Sequence, residues 1–395
     1  MEGLVAVMFQ KIFAGKKVWL SGGTGFKGSW LAEWLYLMGA KVSIFSLPPP
    51  TDPALFYQLG LASRVDWQQG DIRDAAAVSK SLLDCQPDFV FHLAAQPLVR
   101  LSYTEPVETY QTNVLGTIHV LEALRQLENP CATVMVTTDK CYENREWLHG
   151  YREEDPLGGH DPYSSSKAAC EIAISSWRRS FFQNHPVKIA SARAGNVIGG
   201  GDWATDRIVP DCIRALKDSS TIPVRNKTAT RPWQHVLEPL SGYLLLAAKL
   251  TRQSFPSGTL DSAFNFGPHL SANRTVADVV SEALKHWPGE WIDQSDPNAP
   301  HEAGKLNLTT EKAFHLLGWQ PRWDFQTAVQ KTVEWYRATH EGGGPAELTQ
   351  RQIKEYLSKE MNRYDSFEEE NFFRQNYRMG KIYWRKILKW TCGAS

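Results

Sequence analysis

The chain has 395 residues, 42% hydrophobic and 22% charged, with Lys+Arg and Asp+Glu equal at 43 each. That balance gives no net field to draw in nucleic acid or a membrane surface, and no apolar run approaches the roughly 18 residues needed to span a bilayer. The length suits one large α/β domain with a smaller lobe, in a globule rich in Trp (15 of them).

Cys85, Cys131, Cys141, Cys170, Cys212 and Cys392 show neither C-x-x-C nor zinc-ligand spacing, so reduced thiols in the cytosol and no metal are expected. An apolar patch from Leu4 to Phe9 follows Glu2 and precedes no small-residue cleavage site. No signal peptide is expected.

In chain order, Lys17–Ser21 is a short apolar strand that runs into Gly22-Gly-Thr-Gly-Phe-Lys-Gly28. A helical pattern follows (Trp30, Leu31, Trp34, Leu35, Leu37) and stops at Gly39. Further strands are expected at Val42–Ser46, Val65–Gln68, Asp88–Ala94, Ala132–Thr137 and Val187–Ala192, with long helices at Pro106–Leu127 and Tyr163–Phe182. Short strands alternating with longer amphipathic helices predict an α/β fold with a parallel sheet covered on both faces. From about Gly199 the pattern loosens, with short helices near Val209–Lys217, Leu237–Leu250 and Val276–Trp287, as for a substrate lobe interleaved with the end of the sheet.

Sheets of this kind bind ligands beyond the carboxyl ends of their strands. Four candidate loops fall there: Gly22–Gly28, Ala94-Ala95-Gln96, Thr138-Asp139-Lys140 and Ala194-Gly195-Asn196. Gly22, Gly25 and Gly28, with Phe26 and Lys27 between, fit a loop that lets a pyrophosphate approach backbone at a helix N-terminus. The acidic ribose marker expected after the second strand is missing, because that strand ends at Ser46; NAD is favoured over NADP only by the equal lack of an arginine there. Asp71 and Ile72 are candidate adenine contacts, with Asp71 as a helix N-cap the alternative.

Tyr163 and Lys167 lie four residues apart, which on a helix places a phenol and an ammonium on one face. A phenol is a poor base at neutral pH, and a fixed cation beside it favours the phenolate. Such a pair suits proton exchange with a sugar or alcohol hydroxyl. Thr138, Asp139 and Lys140 add a second acid/base set, although a polar triplet at a strand end is also good turn chemistry. Arg193, Arg207, Arg231 and His235 are a candidate diphosphate set, since arginine forks match phosphate oxygens.

These residues resemble the extended short-chain dehydrogenases/reductases, and within them the nucleotide-sugar 4,6-dehydratases, most nearly those acting on CDP-glucose. The resemblance rests on the glycine loop, His92–Gln96, Thr137–Tyr142, Tyr163–Lys167, Ala194–Trp203 and Arg231–Val236, and covers about residues 14 to 345. Thr-Asp-Lys and Gly-Gly-Asp-Trp are its most specific parts. The dTDP-glucose relatives carry Asp-Glu where this chain has Asp139-Lys140.

The resemblance implies a Rossmann-type doubly wound sheet over residues 14–198, a nucleotide-sugar lobe mainly in 199–345, and a C-terminal helix with a basic, aromatic tail in 346–395. It implies NAD held additionally by Thr112, and a nucleotide sugar, CDP-glucose, held by Asn196, Arg207, Arg231 and His235. Tyr163, eased by Lys167, is expected to take the C4 hydroxyl proton while Thr138 hydrogen-bonds that oxygen. Lys140 is expected to remove the C5 proton, and Asp139 to protonate the departing C6 hydroxyl. A dimer through the helices near 106–127 and 163–182, and deoxysugar supply for lipopolysaccharide O-antigen, are implied as well. A nucleotide-sugar 4-epimerase and a catalytically silent dinucleotide sensor are the alternatives; Asp139-Lys140 argues against the first, and the intact Thr138, Tyr163 and Lys167 against the second.

Overall fold

A computed structural model describes residues 12–251, 258–295 and 304–358. Seven strands make one sheet: β1 (Lys17–Ser21), β2 (Lys41–Ser46), β3 (Asp66–Gln69), β4 (Phe89–His92), β5 (Cys131–Val136), β6 (Val187–Ala194) and β7 (Ala263–Phe266). Their order is β7-β6-β5-β4-β1-β2-β3, and every pairing is parallel.

Alternation of side chains between two covered faces explains why the central strands are buried along nearly their whole length, while the edge strand β3 is polar. In β1, Val18 and Leu20 enter one core layer while Trp19 enters the other; in β5, Ala132, Val134 and Val136 oppose Cys131 and Met135. The first layer is covered by α1 (Phe26–Leu37), the second by α2 (Ala75–Cys85), α3 (Gly116–Leu124) and α4 (Pro162–Phe181). Later in the chain come α5 (Ile208–Lys217), α6 (Leu237–Leu250), α7 (Val276–His286) and α8 (Phe325–His340), with α6 and α8 joining the layer of α1. Nearly every residue of α6 is buried, as its all-round apolar sequence requires.

The expected strands and helices agree to within a residue or two except for one helix, while β7 and α8 were not among them. The expected helix Pro106–Leu127 is broken into Pro106–Tyr110, a wide π-type turn at Gln111–Leu115, and α3. The turn brings Asn113 inward, where its Nδ2 donates to Ser166 Oγ at 2.9 Å and its Oδ1 accepts from Gln96 N at 2.8 Å. Strand β7 was not expected as a separate element; Ala-Phe-Asn-Phe is too short to signal itself and is a strand because β6 offers it a free edge.

A helix spans residues 345–358. Tyr356 donates to Glu238 Oε2 at 2.7 Å and Gln350 to Glu33 Oε1 at 2.9 Å, which fastens it over α1 and α6. The basic tail and the Leu4–Phe9 patch lie outside the described residues. Among the described residues, no helix is long and apolar enough to cross a membrane.

Candidate active site

The carboxyl ends of β1, β4, β5 and β6 meet at one edge of the sheet. Gly22 has φ of +72°, and a Cβ there would lie 2.6 Å from Ala94 N, so only glycine lets the first and fourth loops touch. Gly28 packs its Cα side against Gly22 O, where a Cβ would collide. Gly25 is the N-cap of α1 and supplies no side chain to the first N–H groups, and the first turn carries no acidic residue. Open N–H groups at the positive end of a helix, beneath a loop without side chains, fit a dinucleotide pyrophosphate. Phe26 and Lys27 are half-buried, with Phe26 facing Gly199.

Beyond β2, the buried Ser46 hydroxyl lies 2.7 Å from Thr24 Oγ1, and no acid stands at that end. Asp71 is not a helix cap; Asp74 caps α2 through Ala76 N and Ala77 N. The Asp71 carboxylate is half-buried and paired with the Arg73 guanidinium, whose hydrogen bond holds its pKa below the usual carboxylate range. The Ile72 side chain is buried against Gly116. Ala94, Ala95, Gln96 and Thr112 are half-buried around the π-type turn. The Gln96 amide donates to Leu98 O and Thr109 Oγ1, so its side chain shapes its own loop.

The structure brings Thr138, Asp139, Tyr163 and Lys167 together. Asp161 caps α4 by accepting from Ser164 N at 2.9 Å, with Pro162 in the first turn, and this sets Tyr163 and Lys167 facing β5. Both side chains are buried. Thr138 Oγ1 lies 3.0 Å from Asp139 Oδ1 and accepts from Lys140 N, and its hydroxyl is near enough to the Tyr163 phenol to favour the ionised form. Lys140 is half-buried in the short turn Asp139–Cys141.

Burial raises the Tyr163 phenol above its ordinary pKa, and the Asp139 charge pushes it the same way. Thr138 and the Arg207 cation oppose this. Arg207 is thus a cation favouring the phenolate that the sequence spacing did not single out. Burial lowers Lys167, with Glu171 and the neighbouring thiols opposing.

Burial also raises Asp139, against the cations Lys140 and Arg231. Its Oδ2 is buried without a partner, 2.8 Å from where a Cβ on Gly195 would stand. A carboxyl whose folded-state pKa exceeds its unfolded value loses stability as pH rises from the unfolded value through the folded one. Asp139→Asn never ionises. It is expected to melt roughly 2 °C above the wild type at mildly alkaline pH, with the gain vanishing below the ordinary carboxylate range. Calorimetry across pH checks this; equal melting at every pH would remove the ionisation penalty from Asp139.

Of the proposed substrate residues, Asn196 is half-buried at the end of β6. Arg207 pairs with Asp202 at 2.8 Å, and Arg231 is buried near enough to Asp139 to influence it. His235 lies elsewhere. It is fully buried between Trp30 and Trp323, and its Nδ1 accepts from Leu237 N. Burial drops its pKa to about 3, so it is a neutral core side chain with no route to a diphosphate. Arg193 is likewise committed inside the protein, to Glu171 at 2.8 Å and to Tyr142 at 2.7 Å.

Glu171 is a residue that the sequence reading missed. It accepts from Thr137 Oγ1, Ser191 Oγ and Arg193 Nη2, so it ties α4 to the ends of β5 and β6 beside the candidate catalytic groups. The spacing 163, 167, 171 put it on the same helical face and was the available signal. Asn113 carried no comparable signal. Among the described residues no His/Cys/Asp/Glu group could hold a metal ion.

Residues 20–332 match the family model for GDP-mannose 4,6 dehydratase. The CDP-glucose 4,6-dehydratase of Salmonella typhimurium is 45% identical over 88% of this chain and 98% of its own. A probable dTDP-glucose 4,6-dehydratase of Sinorhizobium fredii is 26% identical over 81% of this chain and 92% of its own. In fold, the chain is similar to the dTDP-glucose 4,6-dehydratase DesIV of Streptomyces venezuelae, solved with NAD bound (TM-score 0.70, 23% identity, 83% of this chain and 99% of that one). It is also similar to the UDP-glucose 4-epimerase of Thermotoga maritima (TM-score 0.68, 20% identity, 82% and 99%). A glycine cradle shaped for a dinucleotide, Thr-Asp-Lys at the end of β5 with Tyr and Lys beside its buried Thr and Asp, and a family match over most of the length lead to one assignment: the chain belongs to the nucleotide-sugar 4,6-dehydratase family.

Proposed function

We propose that the protein is a hydro-lyase that converts CDP-glucose into CDP-4-keto-6-deoxyglucose with NAD as its cofactor. The observation that carries this reading is the gathering of buried Thr138 and Asp139 with buried Tyr163 and Lys167, with Lys140 half-buried next to Asp139. An epimerase needs proton transfer at C4 alone, whereas a dehydratase also needs a C5 base and a C6 acid. The relationship to the Salmonella typhimurium enzyme, at 45% identity, supports the nucleotide.

When bound, NAD supplies a reversible hydride acceptor and a positive charge near the phenol. Gly22, Gly25 and Gly28 hold its pyrophosphate, and Phe26, Lys27, Ser46, Ala94, Ala95, Gln96 and Thr112 line its path. Tyr163 receives the C4 hydroxyl proton, a role its raised pKa favours once the phenol is ionised, while Thr138 and Arg207 stabilise that ionised form. Lys167 shares the helical face of Tyr163 and holds the ribose. Lys140 takes the C5 proton, and Asp139, kept protonated by burial, passes its proton to the departing C6 oxygen. Arg207, Arg231 and Asn196 face the sugar diphosphate. Residues 14–198 thus serve the dinucleotide and 199–345 mainly the sugar nucleotide, and the product class fits deoxysugar supply for surface polysaccharide such as lipopolysaccharide O-antigen. The five described cysteines are free thiols, which fits a cytosolic enzyme.

Incubation with CDP-glucose and NAD, followed by mass spectrometry and proton NMR, tests the reading. Loss of one water with a new C6 methyl signal and no net cofactor reduction is expected. Unchanged mass with inverted C4 would make the enzyme an epimerase, and turnover of dTDP-, UDP-glucose or GDP-mannose alone would reassign the nucleotide.

The active unit is a dimer of identical chains. Val107, Tyr110 and Leu115 on the helices before and through the π-type turn, with Ile172 and Phe181 on α4, leave large apolar side chains exposed on adjoining helices. Leu115→Asp together with Val107→Asp is expected to yield a monomer by light scattering. A wild-type chain that is already monomeric would end this reading.

A further inference from the structure

The turn that carries Thr138, Asp139 and Lys140 is held at both ends by one buried ion pair. Glu171 on α4 and Arg193 on β6 meet at 2.8 Å, and both are buried. Thr137, just before the turn, donates from its Oγ1 to Glu171 Oε1. Tyr142, just after it, accepts at its hydroxyl from Arg193 Nη1 at 2.7 Å and donates to Asn265 Oδ1 on β7 at 2.7 Å. Thr137 and Tyr142 are themselves buried.

Such a pair contributes little to stability by itself. Desolvating two charges offsets most of their attraction, and apolar side chains of the same volume often serve a core as well. Here Arg193 Nε is also left buried without a partner. What the pair supplies is direction, because hydrogen bonds between ionised groups are short and fix their partners closely. Glu171 Oε2 accepts from Ser191 Oγ and from Arg193 Nη2, each at 2.8 Å. Glu171 stands one helical turn beyond Lys167 and two beyond Tyr163, so these bonds set the face of α4 that carries both against the ends of β5 and β6. The Arg193 guanidinium lies over the Tyr142 ring, 4.9 Å from its centroid, which extends the same hold to the far side of the turn.

We propose that Glu171 and Arg193 are positioning residues for the reaction, with Thr137 and Tyr142 as their two arms. The Thr137 arm sets Thr138 against Tyr163 for oxidation at C4. The Tyr142 arm sets Asp139 and Lys140 for elimination across C5 and C6. This rests on the reading of the chain as a 4,6-dehydratase.

Glu171→Ala would strand the Arg193 charge in the core and endanger folding, so the arms are tested one at a time. Thr137→Val keeps the ion pair and the shape of the side chain and loses only the hydroxyl. It is expected to reduce bound NAD about 10-fold to 100-fold more slowly on mixing with CDP-glucose, the scale that follows a misplacement of about 1 Å. Thr137→Ser returns the donor and is expected to recover the wild-type rate. Tyr142→Phe is expected to reduce NAD at the wild-type rate, while C6 methyl formation and C5 exchange in deuterated water both fall about tenfold. Stopped-flow absorbance follows the first step and proton NMR the second.

A purely structural tie would not divide the two steps. Wild-type rates in both variants, with or without a lower melting temperature, would overturn the proposal, as would an equal loss in both steps from Tyr142→Phe. A Thr137→Ser chain as slow as Thr137→Val would remove the hydroxyl from the argument and overturn its arm. A wild type that neither reduces NAD nor forms a methyl group would overturn the dehydratase reading, and the division of the arms with it, before any variant is made.

Discussion

Tyr163→Phe is expected to bind NAD and CDP-glucose and yet reduce the nicotinamide roughly 10²–10⁴-fold more slowly than the wild type, the range that a positioned acid/base group contributes. The substitution removes one oxygen from a side chain that is 8% exposed and packed by its own helix, so the fold has little to lose. What it removes is the phenol facing Thr138, within reach of the Arg207 charge. Without it the C4 hydroxyl keeps its proton. Stopped-flow absorbance of the reduced cofactor after mixing with substrate measures the first step alone, and reduction at the wild-type rate would remove Tyr163 from it.

The pH dependence of that step has a definite sign. Burial raises Tyr163 above an ordinary phenol, so the reactive phenolate grows as pH increases through the assay range. Arg207→Met removes the cation that opposes burial, and the rise is expected to move to higher pH. An unshifted profile would show that the Arg207 charge does not reach the phenol in the working enzyme.

Lys140→Ala is expected to separate the two halves of the reaction. Reduction of the nicotinamide should persist, because Thr138 and Tyr163 are untouched, while formation of the C6 methyl falls about 10²–10⁴-fold. The substitution leaves the short turn Asp139–Cys141 intact, since its closure depends on the Thr138 hydroxyl accepting from the Lys140 backbone. In deuterated water the wild type should place deuterium at C5 of the product, and the variant should leave recovered substrate unlabelled. Wild-type turnover, or C5 exchange at the wild-type rate, would pass the role of base to another group. Asp139→Asn provides the contrast: there the C5 proton should exchange while water is retained at C6.

Much of this was legible before any coordinates. Strands β1, β4, β5 and β6 are apolar on both faces, and a chain with such runs between amphipathic helices has few alternatives to a covered parallel sheet. The glycine loop was readable because two of its glycines answer local steric demands, at Gly22 and Gly28. Tyr163 and Lys167 were readable because a helix converts a separation of four residues into a shared face.

The residues misjudged from sequence share a cause. His235 and Arg193 have suitable chemistry for ligand contact, but burial against Trp30 and Trp323, or pairing with Glu171, had already committed them. A partner far along the chain leaves no trace in local pattern. The same holds for Asn113, which the π-type turn directs inward.

The sequence by itself determined the layer architecture, the loops at the strand ends and the pairing of an acid with an amine at Asp139-Lys140, because periodicity and spacing act within a few residues. Only the tertiary structure decided which charges face each other. It set Arg207 near the Tyr163 phenol, kept Asp139 dry beside Gly195, and put Lys27 over Tyr243. Ionisation states depend on burial and on distances across the sheet edge, and those exist only once β1, β5, β6 and α6 have packed together.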